Sequence, residues 1–299
     1  MSKVNLPKMK MQNFDDLFGM NDETWGQTGP KSDNPVIEVN ISELVSFKDH
    51  PFKVQDDEKM ADMMESIKQY GVMHPIIARP IEDGKYEIIA GHRRKYACEK
   101  LGIEKIPVRV LELDDDNATI LMVQTNFCQR EELLPSEKAK GYRKEFDARK
   151  HQGNKGGYTA EVIGEAAGDS KSTVKRFIKL SYLCDEMLDL LDKKIIGLEQ
   201  GYDIAFLQEN EQKLIEKAVV TLKVAMSKEQ SQKLKEYGLK GELTYSMIEL
   251  ILKEQKAKPK KFVMKAERIR EYFSDEYSDE KIAEIIYELL DKWKGGNGA

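Results

Sequence analysis

In YEIIAGHRRKYACEK (86–100) an apolar run meets Gly91, and Arg93 and Arg94 follow at once. The run reads as a short strand, and the glycine with the charged stretch behind it reads as the start of a helix. A helix N-terminus offers unpaired N–H groups and a partial positive charge. Glycine lets backbone approach a ligand, and arginine grips phosphate oxygens through two parallel hydrogen bonds. The chemistry that suits this spacing is binding of a phosphate-bearing ligand. One glycine and two arginines also describe an ordinary solvated basic helix start, so the neighbouring segments must decide.

A second constellation lies in YTAEVIGEAAGDSKSTVKRFIKL (158–180). Thr159 to Ala167 predicts a first helix, Gly168 a turn, and Val174 falls six residues later, where a second helix must pack back on the first. Ile163, Ala167, Val174 and Phe177 or Ile178 supply the shared apolar seam, and Ser170 is placed to cap the second helix. That leaves Lys171, Ser172, Thr173, Lys175, Arg176 and Lys179 as its outward polar set, donors and small hydroxyls of the kind that DNA phosphates and base edges accept. From Arg149 to Lys179 seven basic residues stand against three acidic ones, inside a chain whose net charge is −5. A basic patch therefore sits where a DNA-reading helix-turn-helix needs it.

The elements that must position these residues follow from periodicity. Residues 1–34 are polar with scattered large apolar residues and no period, which predicts a flexible tail whose FDDLF cluster could serve as a short partner-binding motif. From Pro35 to about Phe127 strand-like and helix-like segments alternate. VIEVNI, HPIIARP, YEIIAG and KIPVRV read as strands; DEKMADMMESIKQY, HRRKYACEKLG and ATILMVQTNF read as helices. The methionines of the first helix, at helical spacing, are core residues. From Leu134 every strong period is helical, with Pro135 in a first turn, HQGNKGG as a hinge, and KAKPKKF separating a last unit. The expected domains are 1–34, 35–130, 131–255 and 261–299, the last with Ile282, Ile285, Ile286, Leu289, Leu290 and Trp293 on one broad apolar helix face.

Composition bounds the rest. With 299 residues, 48 basic and 53 acidic side chains, the chain is too balanced for a uniformly basic nucleic-acid coat, so any DNA contact must be local. No apolar run approaches a membrane span, and MSKVNLPKMK lacks the apolar core of a signal peptide, which together predict a soluble, cytoplasmic protein. Three cysteines without a CxxC pair and four scattered histidines speak against a disulfide framework or a zinc finger.

GVMHPIIARP, then GHRRKYA, then NFCQREELLPSEKA occur in that order within about 70 residues. The series resembles the N-terminal domain of the ParB family of partition proteins, whose fold is shared with sulfiredoxin, and with the helix-turn-helix the likeness covers roughly residues 35–200. The resemblance implies an α+β ParB/sulfiredoxin-like domain, an all-α helix-turn-helix domain and a small helical C-terminal domain that dimerises. It implies CTP with Mg2+ held by Gly91, His92, Arg93, Arg94, Asn126 and Arg130, with Asn126 on the metal, and Gly71, Pro75, Ile76 and Arg79 in the first box. It further implies a homodimer, acting in plasmid or chromosome segregation, of the plasmid or integrated-element kind. Its partners would be a specific centromere-like double-stranded DNA site, on the nucleoid and away from membranes, and a ParA-type ATPase reached through the N-terminal tail.

Departures from the pattern bear on mechanism. His92 stands where the family often has Glu, Tyr96 replaces an Arg, and His74 a Gln. Asn126 and Arg130 are four apart instead of three, and the acidic residue that normally precedes the Asn is here Thr125 or Gln124. Neither can act as a carboxylate base, so nucleotide binding with at most weak CTP hydrolysis is the expectation. Sulfiredoxin-type chemistry needs a cysteine beside its His-Arg pair, whereas this chain has Gly91 there and Cys98 two turns away. The alternative to a nucleotide-switched partition protein is a helix-turn-helix regulator that acts without nucleotide.

Overall fold

The computed structural model describes residues 36–54, 56–130, 132–153, 156–254, 266–274 and 276–296, in two compact units, Met1–Lys253 and Glu254–Ala299. The predicted tail, 1–34, lies outside the described residues.

The first unit opens with a five-stranded sheet. β1 (Val36–Asn40), β2 (Leu44–Ser46), β3 (Ile76–Pro80), β4 (Tyr86–Ala90) and β5 (Lys105–Val110) lie in the order β1-β5-β3-β4-β2. β1 runs antiparallel to β5, β3 antiparallel to β4, while β5 with β3 and β4 with β2 are parallel. Both faces are covered, which is why the central strands read as unbroken apolar runs. Ile76, Ala78, Ile88, Ile106 and Val108 point to one side, against Met60 and Ile67 of α1 (Glu58–Tyr70) and Ala97 and Cys98 of α2 (His92–Leu101). Ile77 and Ile89 point to the other, against Leu121 and Met122 of α3 (Asp115–Gln129). Burying each such isoleucine contributes roughly 1.5–3 kcal/mol. β2 is too short to leave a sequence period; its three residues extend the sheet at the β4 edge.

α1 begins where its cap allows. The Asp57 carboxylate accepts from the Met60 N–H at 2.8 Å, and Gly71 ends the helix. α3 is capped the same way by Asp114, whose side chain accepts from the Asn117 N–H at 2.7 Å. α4 (Pro135–His151) then leads into a helical assembly that, among the described residues, continues through α5 (Gly156–Ala167), α6 (Lys171–Leu180), α7 (Asp185–Asp192), α8 (Leu198–Ile204), α9 (Glu209–Leu222), α10 (Lys228–Leu239) and α11 (Tyr245–Lys253). Tyr142, Ile163, Val174, Phe177, Leu180 and Met187 share its core. The α+β start and all-helical remainder are the predicted fold class.

The second unit carries α12 (Ala266–Arg270) and α13 (Asp279–Gly296). Arg270 holds their connection by donating to the Tyr277 carbonyl at 3.1 Å and to the Asp279 carboxylate. Ile282 is buried and Ile285 and Ile286 are half-buried, but Leu289, Leu290 and Trp293 are 59%, 53% and 67% exposed. Among the described residues Tyr272 is 77% exposed as well, and the outer half of the face has no cover.

The tightest joint is the α5–α6 turn. The Asp169 N–H donates to the Gly164 carbonyl at 2.8 Å, and a methyl group on Gly164 would stand 2.4 Å from the Asp169 carbonyl oxygen. Alanine ordinarily stabilises a helix interior by up to about 1 kcal/mol over glycine. Here a backbone atom must move, and overpacking of that kind costs about 1–3 kcal/mol. Gly164→Ala should therefore lower the urea midpoint of unfolding; a raised midpoint would show that the turn has room.

Candidate phosphate-binding cleft and helix-turn-helix

A cleft of about 1100 Å3 opens beside the N-terminus of α2, and Gly91, His92, Arg93, Arg94, Asn126 and Arg130 all line it. The second and third boxes thus meet at one place. Gly91 is the N-cap of α2 in a left-handed conformation, φ +110°, and has no side chain with which to cap the helix. The first-turn N–H groups are left without intrahelical acceptors, an arrangement chemically suited to an anion. The glycine is required twice over, since a methyl group there would also lie 3.1 Å from Ile76 Cγ1.

Each arginine is held by a different element. Arg93 makes a two-point ion pair with Asp57, at 2.6 Å and 3.1 Å, and this hydrogen bonding pulls the Asp57 carboxyl down to about 2. Arg94 donates to the carbonyls of His74 and Pro75 at 2.7 Å and 2.6 Å, tying the second box to the first; burial lowers its pKa from the ordinary value. Arg130, C-cap of α3, donates to Glu137 at 3.2 Å and to the Lys53 carbonyl at 3.2 Å, over the Phe52 ring. Arg79 of the first box is not at the cleft. It joins β3, β4 and α3 through Glu87 at 2.7 Å and Asp115 at 2.7 Å.

The four-residue spacing of the third box is one turn of α3, with the Arg130 N–H donating to the Asn126 carbonyl. The Asn126 amide nitrogen donates to the Met122 carbonyl at 2.8 Å, which leaves its amide oxygen as the group suited to a hard cation. Among the described residues no cluster of three or more His, Cys, Asp or Glu is arranged to hold a metal. Thr125, the first of the two alternatives at the missing acidic position, lines the cleft, but its hydroxyl donates to Met122; Gln124 instead donates to Glu145 at 3.0 Å. His92 turns its ring onto His50, centroids 3.8 Å apart, and its Nε2 faces the Phe47 N–H at 3.4 Å.

Sequence reasoning missed Lys53, Asp57, Asp192 and Lys194, which also line the cleft. Asp57 had a readable signal as the acidic residue before a helix; Lys53 and Lys194 lie in loops without a period, and Asp192 ends a helix whose period says nothing of a remote cleft.

On the helix-turn-helix, the Ser170 hydroxyl caps α6, accepting from the Thr173 N–H at 3.1 Å. Val174 and Phe177 are buried, Ala167 and Ile178 half-buried, as the predicted seam requires. Lys171, Ser172, Lys175 and Arg176 are exposed, Lys171 pairing with Glu161 at 3.1 Å. Two members of the outward set lie closer in. Thr173 shares a hydroxyl cluster with Ser170, and Lys179 is half-buried over the Phe206 ring at 4.1 Å, its pKa lowered by burial. α8 and the turn after it cover the C-terminal end of α6, which a local helical period cannot show.

Residues 27–127 match the family model of the ParB N-terminal domain. The chain carries a ParB N-terminal domain. A nucleoid occlusion protein from Geobacillus sp. (strain WCH70) is 29% identical over 203 residues, covering 67% of this chain and 69% of the relative. The C-terminally truncated chromosome-partitioning protein ParB from Caulobacter crescentus, solved in complex with the centromeric parS site, is 24% identical, covers 67% of this chain and 98% of that one, and gives a TM-score of 0.41. The same protein complexed with CTP-gamma-S is 28% identical, covers 62% and 99%, and gives 0.30. Among the described residues no helix is long and apolar enough to cross a membrane.

The two stacked imidazoles set a pH dependence. Burial pushes His92 down to about 3 and His50 down to about 4, so both are neutral in the folded state at neutral pH, while an unfolded histidine titrates near 6.5. Between about pH 6.5 and 4 the unfolded chain binds more protons, so stability must fall as pH falls through that window. Asp57 adds to the loss only below its unfolded value of 3.8. Calorimetric melting at pH 7.5 and 5.0 should show a lower Tm in acid, and the His50→Gln, His92→Gln double variant should flatten the difference. An unchanged difference would place the acid sensitivity elsewhere.

Proposed function

We propose that this chain is a site-specific DNA-binding partition protein that CTP switches into a DNA clamp. The observation that carries the reading is the convergence of all six boxed residues on one cleft at an uncapped helix start, in the same unit as a helix-turn-helix. Gly91 and the first-turn N–H groups of α2 would receive phosphate oxygens, Arg93 and Arg94 would neutralise them, and Asn126 and Arg130 would close the site, with the Asn126 oxygen on Mg2+. The bound nucleotide supplies the triphosphate charge that orders these groups. Thr125 offers no carboxylate to activate water, which favours binding over rapid hydrolysis.

The exposed donors of α6 would read a centromere-like site, with Lys175 and Arg176 leading. The uncovered Leu289, Leu290 and Trp293 face is suited to pair with its counterpart in a second chain, since two helix-turn-helix units reading a palindrome require two-fold pairing. The domain division then runs 35–130 for nucleotide, 131–255 for DNA and 261–299 for dimerisation. Residues 1–34, where a ParA-type ATPase would dock, lie outside the described residues. The chain would reside in the cytoplasm on the nucleoid, on a plasmid, an integrated element or, as the nucleoid occlusion relative suggests, a chromosome.

A second reading, a regulator that acts without nucleotide, is favoured by the arginines themselves: Arg93 and Arg130 already hold carboxylates. Calorimetric titration with the four nucleoside triphosphates and Mg2+ separates the two. CTP alone should bind, and Arg93→Ala should lose about 1.5–3 kcal/mol, the value of a charge-assisted hydrogen bond. No CTP signal, with or without DNA, would favour the plain regulator.

For DNA, fragments selected from a random pool supply the site. Lys175→Ala with Arg176→Ala should lower the slope of log affinity against log salt by about two if both meet phosphates, or cost about 1–3 kcal/mol on the selected site alone for each that reads a base. A double variant that shifts the same DNA at the same salt would displace the reading helix from α6.

A further inference from the structure

The cleft is not walled by the α/β part alone. Asp192, the last residue of α7 of the helical assembly, and Lys194, from the turn after it, line it as well. The donors of the boxed arginines are largely engaged, on Asp57, on two backbone carbonyls, and on Glu137 with the Lys53 carbonyl. Lys194 is exposed and its side chain makes no ion pair or hydrogen bond among the described residues.

Its backbone, by contrast, is fixed. Asp192 accepts from the Ser136 N–H at 2.9 Å and from the Ser136 hydroxyl at 2.5 Å, which pins the turn to the start of α4. The Lys194 N–H donates to the Leu191 carbonyl at 3.0 Å, the Ile195 N–H to the Leu190 carbonyl at 2.9 Å, and Ile196 is buried behind them. Lys194 itself sits at φ +58°, a left-handed conformation that glycine or asparagine would adopt at lower cost. A strained position that carries a free ammonium over an anion-binding cleft is where a ligand contact is expected.

We infer that Lys194 is a phosphate ligand of the nucleotide supplied by the helical assembly, so that bound nucleotide bridges it to the α/β domain. The inference rests on the reading of the cleft as a CTP site. A mobile ammonium on a fixed turn can follow the phosphates without rearranging the arginines, and it makes nucleotide affinity depend on the position of the helical assembly.

The test uses the full chain, CTP and Mg2+ at fixed pH. Lys194→Gly keeps the left-handed backbone without strain and removes the charge; Lys194→Arg keeps the charge. The glycine variant should bind CTP at least about tenfold more weakly and with a shallower salt dependence, and the arginine variant within about threefold of the parent. The melting temperature of the glycine variant without nucleotide should be no lower than the parent's, because no side-chain contact is lost and the left-handed strain is relieved. A parent that binds CTP beside a glycine variant of equal affinity and salt dependence would overturn the inference and leave the cleft's reading standing. A parent that binds no CTP would overturn that reading, and this inference with it.

Discussion

The buried carboxylate of Glu137 is the constraint on which the arrangement turns. Only 2% exposed, it accepts from the Leu134 N–H at 3.1 Å as the capping partner of α4, from the Lys53 N–H at 2.7 Å, and from Arg130 at 3.2 Å. One side chain therefore fixes the start of the helical assembly, the loop after β2 and the last arginine of the cleft. A buried carboxylate stripped of its partners would be strongly destabilising, so the three elements cannot part without a large penalty. The glutamate does not stabilise the fold by a large net amount; it specifies which elements meet.

From this joint an aromatic series runs toward α6. Arg130 lies over Phe52, Phe52 meets Phe127 edge-on at 6.1 Å, Phe127 lies 4.6 Å from Tyr142, and Tyr142 meets Phe177 of α6 at 6.1 Å. Gly141 makes room for it, since a methyl group there would come within 2.8 Å of the Phe127 ring. At the far end the Tyr142 hydroxyl donates to Asp169, which also pairs with Lys138 at 2.5 Å. α4 thus packs on the α/β domain with one side and on the helix-turn-helix with another.

How much of this was legible in the sequence follows from the range of each interaction. α1, α2, α6 and the Gly168 turn announced themselves, because caps, glycines and a 3.6-residue period act within one element. The cleft was legible from three separated segments only once they were taken together; neither Gly91 nor Arg130 states its partner alone. Glu137 looked like an ordinary first-turn acid, since its burial depends on Lys53, 84 residues away. Lys179 has the period of an outward residue and is nonetheless half-covered, because Phe206 and Lys235 arrive from later elements. Lys194 lies in a turn, where neither period nor propensity carries information about a remote cleft.

The two ion-paired arginines of the cleft are unequal, and the difference determines how an arriving phosphate is accommodated. Asp57 serves Arg93 and α1 at once, but its bond to the Met60 N–H does not require the arginine. The Asp57 side chain is 39% exposed, so water can solvate it when Arg93 turns to a phosphate, and the helix keeps its cap. Arg130 has no such freedom, because the Glu137 side chain is 3% exposed and would be left as a buried charge. Arg93 is therefore the exchangeable arm of the site and Arg130 a fixed wall. On the reading proposed above, an anion in the cleft would exchange one ion pair for another at Arg93, gain the unshared N–H groups of α2 outright, and leave the Glu137 joint undisturbed.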